Sequence, residues 1–479
     1  MARINTNIPA LVARRHFVHA NDQLQVSLER LSSGVRINRG ADDPAGLIIS
    51  QNLRSEINAV KQAITNSQRA SNVIATTEGA LNEVAALLND TKQKIVEAAN
   101  VGAVSDDEIR ANQLQIDSAI ESITRIANTT PFGGRKLLNG ALDYVTSGVN
   151  VADVTDLRIT GVRFGTAAFI PVTVSVTQSA QHGQLRFETS SITADVTLEV
   201  AGDKGVTTLP LLSGTTASAI MAAVNLVSDS TGVNASLINA ANAASGIVLS
   251  TQAFGSDSFV SVAEIGTTAT VFTTVNAAAE VVRTDKGRDA AATVNGALSL
   301  GKGLNISLNT TALSLEFRLQ EAFNTVGTTS FAVTGGGALF QLGGDVESNQ
   351  QVNIGVQSTA ASRLGNATVG YLSQVSSGGE FSLVNGEAAR ADQIIDEAIR
   401  QVSVLRGRLG AFEKNTLDTN INQLQITTEN LTSAESAIRD IDFAEETSNL
   451  TRLQILSQAG ITVLAIANQT PRQVLALLQ

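Results

Sequence analysis

Two blocks of seven-residue apolar repeats, one near each end of the chain, limit what this sequence can fold into. Leu53, Val60, Ile74, Leu81, Leu88 and Ile95 share one register, broken only by Ser67. Leu417, Leu424, Leu431 and Ile438 repeat the pattern near the other end. Ile395, Val402 and Leu409 precede them in a register that slips before Leu417. A heptad repeat keeps an apolar seam on one side of a slightly underwound helix. One such helix cannot bury its own seam, and the simplest partner for the N-terminal block is the C-terminal one. The chain therefore reads as α+β, with a long antiparallel α-helical coiled-coil rod formed by both chain ends and β-rich outer domains inserted between them.

Helical signals extend beyond the repeats. Leu24, Leu28, Leu31 and Val35 fall three or four apart. Pro44 after Asp42-Asp43 reads as a helix start with proline just inside. From there to residue 100 one helix of about 80 Å is possible. Ser105 to Glu108 reads as a capping box for a further helix striped with Ile109, Ile116, Ile120, Ile123 and Ala127. Pro131-Phe132-Gly133-Gly134 ends the helical region. In the last part, Asp440-Ile441-Asp442-Phe443 interrupts the regularity, and Leu450, Leu453, Leu456, Val463, Val474 and Leu477 give a stripe almost to the last residue.

The middle, about residues 140–385, changes character. Thr, Ser, Val, Gly and Ala dominate, and alternating runs such as Val172-Thr173-Val174-Ser175-Val176 and Leu304-Asn305-Ile306-Ser307-Leu308 predict strands. Residues 351–356 read as another strand, and 219–226 as a short helix. The boundaries predicted from these shifts are 1–45 with 437–479, 46–165 with 336–436, and 166–335.

Composition removes several function classes. Aromatics are 4% and Trp is absent, so the core must be aliphatic. Net charge is −11, and no Lys or Arg lies between residues 205 and 282. A nucleic-acid partner needs clustered cations, so none is expected. With no cysteine, disulfides and thiol chemistry are impossible; this suits a protein that leaves the cell unfolded. Arg14, Arg15 and His16 break the N-terminal apolar stretch, which leaves no secretory h-region. No apolar run approaches a membrane span, so no membrane insertion is expected. His16 and His19, with His182 alone, make no metal site. Gly335-Gly336-Gly337 lacks the Lys-Ser/Thr of a phosphate loop. Asp42-Asp43 could act as paired carboxylates, but beside Pro44 they fit a helix N-terminus better. No Ser-His-Asp arrangement appears; neither a catalytic site nor a cofactor is expected.

Both ends also carry long, ordered motifs. The N-terminal block reads Leu28-Glu29-Arg30-Leu31-Ser32-Ser33-Gly34, Arg36-Ile37-Asn38 and Asp42-Asp43-Pro44-Ala45-Gly46, followed by Thr76 through Glu83. The C-terminal block reads Gln454-Ile455-Leu456-Ser457-Gln458-Ala459-Gly460, Ala467-Asn468-Gln469 and Gln473-Val474-Leu475-Ala476-Leu477-Leu478. These motifs resemble the bacterial flagellin family, and the likeness covers roughly the first 140 and last 90 residues. More weakly, residues 219–236 look like a repeat inserted in many flagellins and hook-associated proteins.

The resemblance implies a structural subunit of the bacterial flagellar filament, used in swimming motility. In that family the extreme terminal helices pair and line a channel, the next segments form an inner wall, and the middle projects outward. It also implies assembly contacts through Leu28, Leu31, Ser33, Gly34, Arg36, Asn38, Asp42, Asp43, Pro44, Gly46, Leu450, Leu453, Ile455, Leu456, Gly460, Val463, Val474 and Leu477. The implied partners are further copies of the chain as a helical homopolymer, hook-associated and cap proteins, the flagellar export apparatus, and an export chaperone at the C-terminal helix. The implied place is outside the cell, reached without a cleaved signal peptide. A hook–filament junction protein, or an adhesin-like module in the middle, is the alternative. One stretch departs from the family: many flagellins carry an Arg- and Leu-containing stretch read by an innate immune Toll-like receptor. Here Asp90 stands in place of an Arg and Lys94 in place of a Leu, which implies weak receptor activation.

Overall fold

The heptads of the first block lie on one unbroken helix. The computed structural model describes residues 6–165, 167–266 and 271–476, with side chains to residue 469 except that of residue 243. The helices are α1 (Ile8–Ser33), α2 (Pro44–Ala98), α3 (Asp106–Thr129), α4 (Ala217–Leu226), α5 (Ser228–Thr231), α6 (Ala388–Phe412), α7 (Thr419–Arg439) and α8 (Phe443–Ala476). Contacts group the chain into two units: residues 1–70, 341–346 and 414–479, and residues 71–340 and 347–413.

In the larger unit, α2 and α6 run antiparallel. Ion pairs fix this direction: Lys92 with Asp396, and Arg406 with Glu78 at 3.8 Å. Ile74, Leu81, Leu88 and Ile95 are buried on α2, as are Ile395, Val402 and Leu409 on α6. A second buried seam accompanies the first: Thr77, Val84, Thr91 and Ala98. Its threonine hydroxyls donate to the carbonyls of Val73 and Leu87 on their own helix, so no buried donor is stranded. A count of large aliphatics misses this seam, because Ala is small and Thr is polar. The Ser105–Glu108 capping box forms on α3, with the Glu108 carboxylate accepting from the Ser105 backbone N–H at 2.7 Å.

The register slip has a structural cause. Residues Glu413–Asp418 form a stretch of π-helix between α6 and α7. Each π turn takes in one extra residue, so Leu417 sits eight residues after Leu409 rather than seven and is fully buried. The break at Ser67 is explained too. Its hydroxyl donates to the Ala63 carbonyl at 2.9 Å and accepts from Asn420 at 3.0 Å; Asn420 also donates to the Leu342 carbonyl at 2.8 Å. A polar pair at a seam position specifies register at some cost in stability.

The β structure of the larger unit is nested. One antiparallel sheet orders Ala297–Leu298, Ala291–Val294, Ile170–Gln178, Gly327–Gly336 and Tyr144–Ser147. A second orders Leu300–Lys302, Asn305–Asn309, Leu313–Leu319 and Val154–Val162. Their inner faces share one core that includes Val172, Val174, Val176, Ile306 and Phe317. Val174 pairs with Val294, so the chain leaves and re-enters on adjacent strands. Between them, a three-stranded and a four-stranded sheet with α4 enclose a separate core around Phe187, Leu198, Ile220 and Leu249. Where the sandwich meets α6, burial pushes the Tyr144 phenol up to about 12; its oxygen accepts from the Val162 N–H at 3.1 Å. Arg408 of α6 is buried beside it and donates to the Gly355 carbonyl at 2.7 Å.

Candidate assembly surface

The smaller unit holds the terminal helices, and they pack by a different rule. α1 and α8 are antiparallel: Asn7 donates to the Ala467 carbonyl at 2.8 Å, and Arg36 to that of Ile438 at 2.6 Å. On α1 the residues buried along this pair are Ala13, Ala20 and Ser27, and on α8 they are Glu446, Leu453 and Ala467. Each set repeats every seven residues, and Gly460 occupies the position between Leu453 and Ala467. A Cβ on Gly460 would lie 3.3 Å from the Phe17 Cβ, so glycine lets the helices approach closely.

This corrects the expected apolar stripe. Among the named stripe residues Leu453 is buried and Leu450 half-buried, but Leu456 and Val463 face outward. Apart from Leu453 and Glu446, small side chains have taken the inside, and most large aliphatics lie outside. Ile455 is 64% exposed and Ile466 61%, with Ile8, Leu11, Val18, Leu28 and Ile461 also exposed. Val474 lies on α8 with its side chain outside the description, and Leu477 is outside the described residues. The expectation about membrane length also needs correction. Within α8, Phe443–Gln469 is long and apolar enough to cross a membrane by length and composition. The expectation sought an unbroken run, whereas here Ala, Leu, Ile and Val are interspersed with single polar residues.

The turns between helices gather most of the N-terminal candidates. Gly34 ends α1 at φ 75°, a conformation that favours glycine, and its N–H donates to the Arg30 carbonyl at 2.9 Å. Val35 pairs with Asp440 as an isolated β-bridge, and the Arg36 N–H donates to the Arg439 carbonyl at 2.7 Å. Asn38 donates to the Ser33 hydroxyl at 2.8 Å. The Asp42 carboxylate accepts from the N–H groups of Arg39 at 2.8 Å and Asn38 at 3.0 Å; these bonds, the Arg39 one foremost, hold its carboxyl below the usual range. Asp43 accepts from the Gly46 N–H at 2.9 Å and so caps α2, with Pro44 in its first turn. A Cβ on Gly46 would run into the Asp43 carboxylate and lie 2.8 Å from Ile37, which is buried. The elbow therefore joins Ser33, Gly34, Arg36, Asn38, Asp42, Asp43 and Gly46 with residues 438–441. Leu28 and Leu31 lie on α1 just before it.

The receptor-related stretch lies in the larger unit. Asp90 and Lys94 line a groove of about 330 Å³ with Gln115 and Ser118 of α3. Asp90 is exposed, and Lys94 pairs with Glu97 at 2.9 Å.

Comparison with known proteins adds the decisive observation. The chain is 30% identical to the flagellin of Clostridium tyrobutyricum over 466 residues, covering 97% of this chain and 99% of the relative. The chain belongs to the flagellin family. Flagellin B of Helicobacter pylori strain J99 is 28% identical over 529 residues, covering 100% of this chain and 99% of the relative. Family models match as the bacterial flagellin N-terminal helical region at residues 4–143, its C-terminal helical region at 393–478, and the flagellin hook IN motif at 195–252. The IN match falls within the nested β module. Among solved structures, FliC from Burkholderia pseudomallei aligns over 72% of this chain and 99% of its own at 14% identity, with a TM-score of 0.23.

Proposed function

We infer that this flagellin is a structural subunit of the bacterial flagellar filament, placed outside the cell and used in swimming. The observation that carries the mechanism is the row of exposed aliphatics on α1 and α8. Each is worth roughly 1.5–3 kcal/mol when fully buried, and neighbouring copies can provide that burial. The whole-chain likeness to flagellins does not favour the hook–filament junction alternative. Purified chain, seeded with filament fragments and imaged by electron microscopy, should form filaments. A chain truncated after Phe443 should stay folded and monomeric, and filaments from it would refute the role given to α8.

Several finer points belong to the same proposal. The division into 1–45 with 437–479, 46–165 with 336–436, and 166–335 assigns channel, wall and outer surface, the last two meeting within one β core. The exposed candidates on α1 and α8 make the assembly contacts, and the elbow residues with Leu453 and Gly460 hold the shape that presents them. We further infer that α1 and α8 order only on assembly, because their small-residue seam buries little apolar surface against the entropy of fixing the chain. Hook-associated and cap proteins would meet the filament, and an export chaperone would shield α8 before passage through the export apparatus without a cleaved signal. No catalytic role is proposed. The Asp90 and Lys94 departures predict weak immune-receptor activation; replacing them with Arg and Leu should raise a reporter-cell response, and an unchanged response would remove this reading.

A further inference from the structure

The α1–α8 pair is electrically lopsided along its length. Residues 7–21 and 447–469 carry Arg14, Arg15, His16, His19 and Arg452 and no carboxylate. Residues 22–43 and 435–446, around the elbow, carry nine carboxylates against four arginines. Within the elbow, Arg39 pairs with Glu29 at 3.0 Å and Arg439 lies 3.7 Å from Glu435. Asp440 accepts from the Ser436 hydroxyl at 2.6 Å, and Asp442 caps α8 by accepting from the Ala444 N–H at 2.9 Å. Among the described residues, Asp440, Glu445 and Glu446 have no cationic partner, and Arg14 and Arg15 have no anionic one. Asp440, Glu445, Arg14 and Arg15 are exposed. Glu446 is on the buried seam, 9% exposed.

We propose that the cationic half of the α1–α8 pair docks on the acidic elbow of a second copy, head to tail, with Arg14 and Arg15 of one copy facing Asp440 and Glu445 of the next. This rests on the filament reading, in which successive copies share one orientation. Side by side and in register, two such copies would set like charge against like at both ends. An axial stagger sets opposite charges together. The exposed aliphatics attract without direction; the charges select the stagger and reject the wrong register. The acidic and basic patches are different surfaces, so the contact is heterologous and does not close, as a fibre requires.

The test is a charge swap in the full chain. Arg14→Glu with Arg15→Glu makes one variant, and Asp440→Lys with Glu445→Lys the other. Seeded elongation followed by light scattering should show the critical concentration of each variant alone raised about tenfold or more at low salt. Adding salt toward 1 M, where the screening length falls to about 3 Å, should shrink that defect. Mixing the two variants, or combining all four substitutions in one chain, should restore elongation. Circular dichroism of the monomers checks that helix content is unchanged. Wild-type-like elongation of either variant, or no rescue by mixing, overturns the proposal while leaving wild-type filaments intact. Failure of the wild type to form filaments would instead sink the filament reading, and this inference with it. If wild type binds phosphatidylglycerol vesicles, and the Arg14→Glu, Arg15→Glu chain loses that binding yet still polymerises, the cationic half belongs to an anionic lipid surface and the proposal fails.

Discussion

The α2–α6 and α1–α8 pairs are both antiparallel and both repeat every seven residues, yet they are built inside out from one another. In the first, Ile74, Leu81, Leu88, Ile395, Val402 and Leu409 are inside. In the second, Ala13, Ala20, Ser27, Gly460 and Ala467 occupy the interface with the single large aliphatic Leu453, while Leu11, Ile455 and Ile466 face outward. A seam of large aliphatics stabilises the single chain. A seam of small ones brings two helices together with little gain and leaves the apolar surface for other copies. The same periodicity thus serves folding in one pair and polymerisation in the other.

That contrast can be broken by substitution, beginning with the largest effect on the monomer. Leu88→Ala should lower unfolding stability by about 2–5 kcal/mol, since it opens a cavity in a filled seam; thermal denaturation followed by circular dichroism measures it. Gly46→Ala should cost about 1–3 kcal/mol, because its methyl displaces the Asp43 cap and presses on Ile37. Gly460→Leu should keep α8 away from Phe17 and stop seeded elongation, while monomer stability changes by no more than about 0.5 kcal/mol. Ile455→Gln should change monomer stability by no more than about 0.5 kcal/mol and still impair elongation. If Ile455→Gln destabilised the monomer as much as Leu88→Ala, the distinction between the pairs would collapse.

The two units should also differ in their response to pH. The Asp42 carboxyl in the elbow is held below its ordinary 3.8 by backbone N–H groups. Its contribution is present above that value and is lost as pH falls through the lower folded one. Tyr144 is raised from 10.0 to about 12 by burial. Its contribution is present below pH 10 and is lost as pH rises through about 12. Acid titration of an Asp42→Asn chain should lack part of the elbow's transition; alkaline titration of Tyr144→Phe should lack part of the sandwich's.

Much of the architecture was legible in sequence, because heptads and caps are local. The α2 start at Pro44, the Ser105–Glu108 box, the alternating strand at residues 172–176 and the slip before Leu417 all follow from spacing along one segment. The burial pattern of α8 was not legible. Its sequence offers Leu450, Leu456 and Val463 as well as Glu446, Leu453 and Gly460, and hydropathy prefers the larger set. The second α2 seam was missed for the same reason, since Thr77 and Thr91 count as polar until their hydroxyls are seen bonded to their own helix.

The sequence by itself determined the main helices, a few of the strands, and that the two ends need partners, because these depend on neighbours within a few turns. Only the tertiary structure decided which face of each helix is inside. That choice depends on how closely two backbones can approach, and the approach of Gly460 to Phe17 cannot be computed from either helix alone.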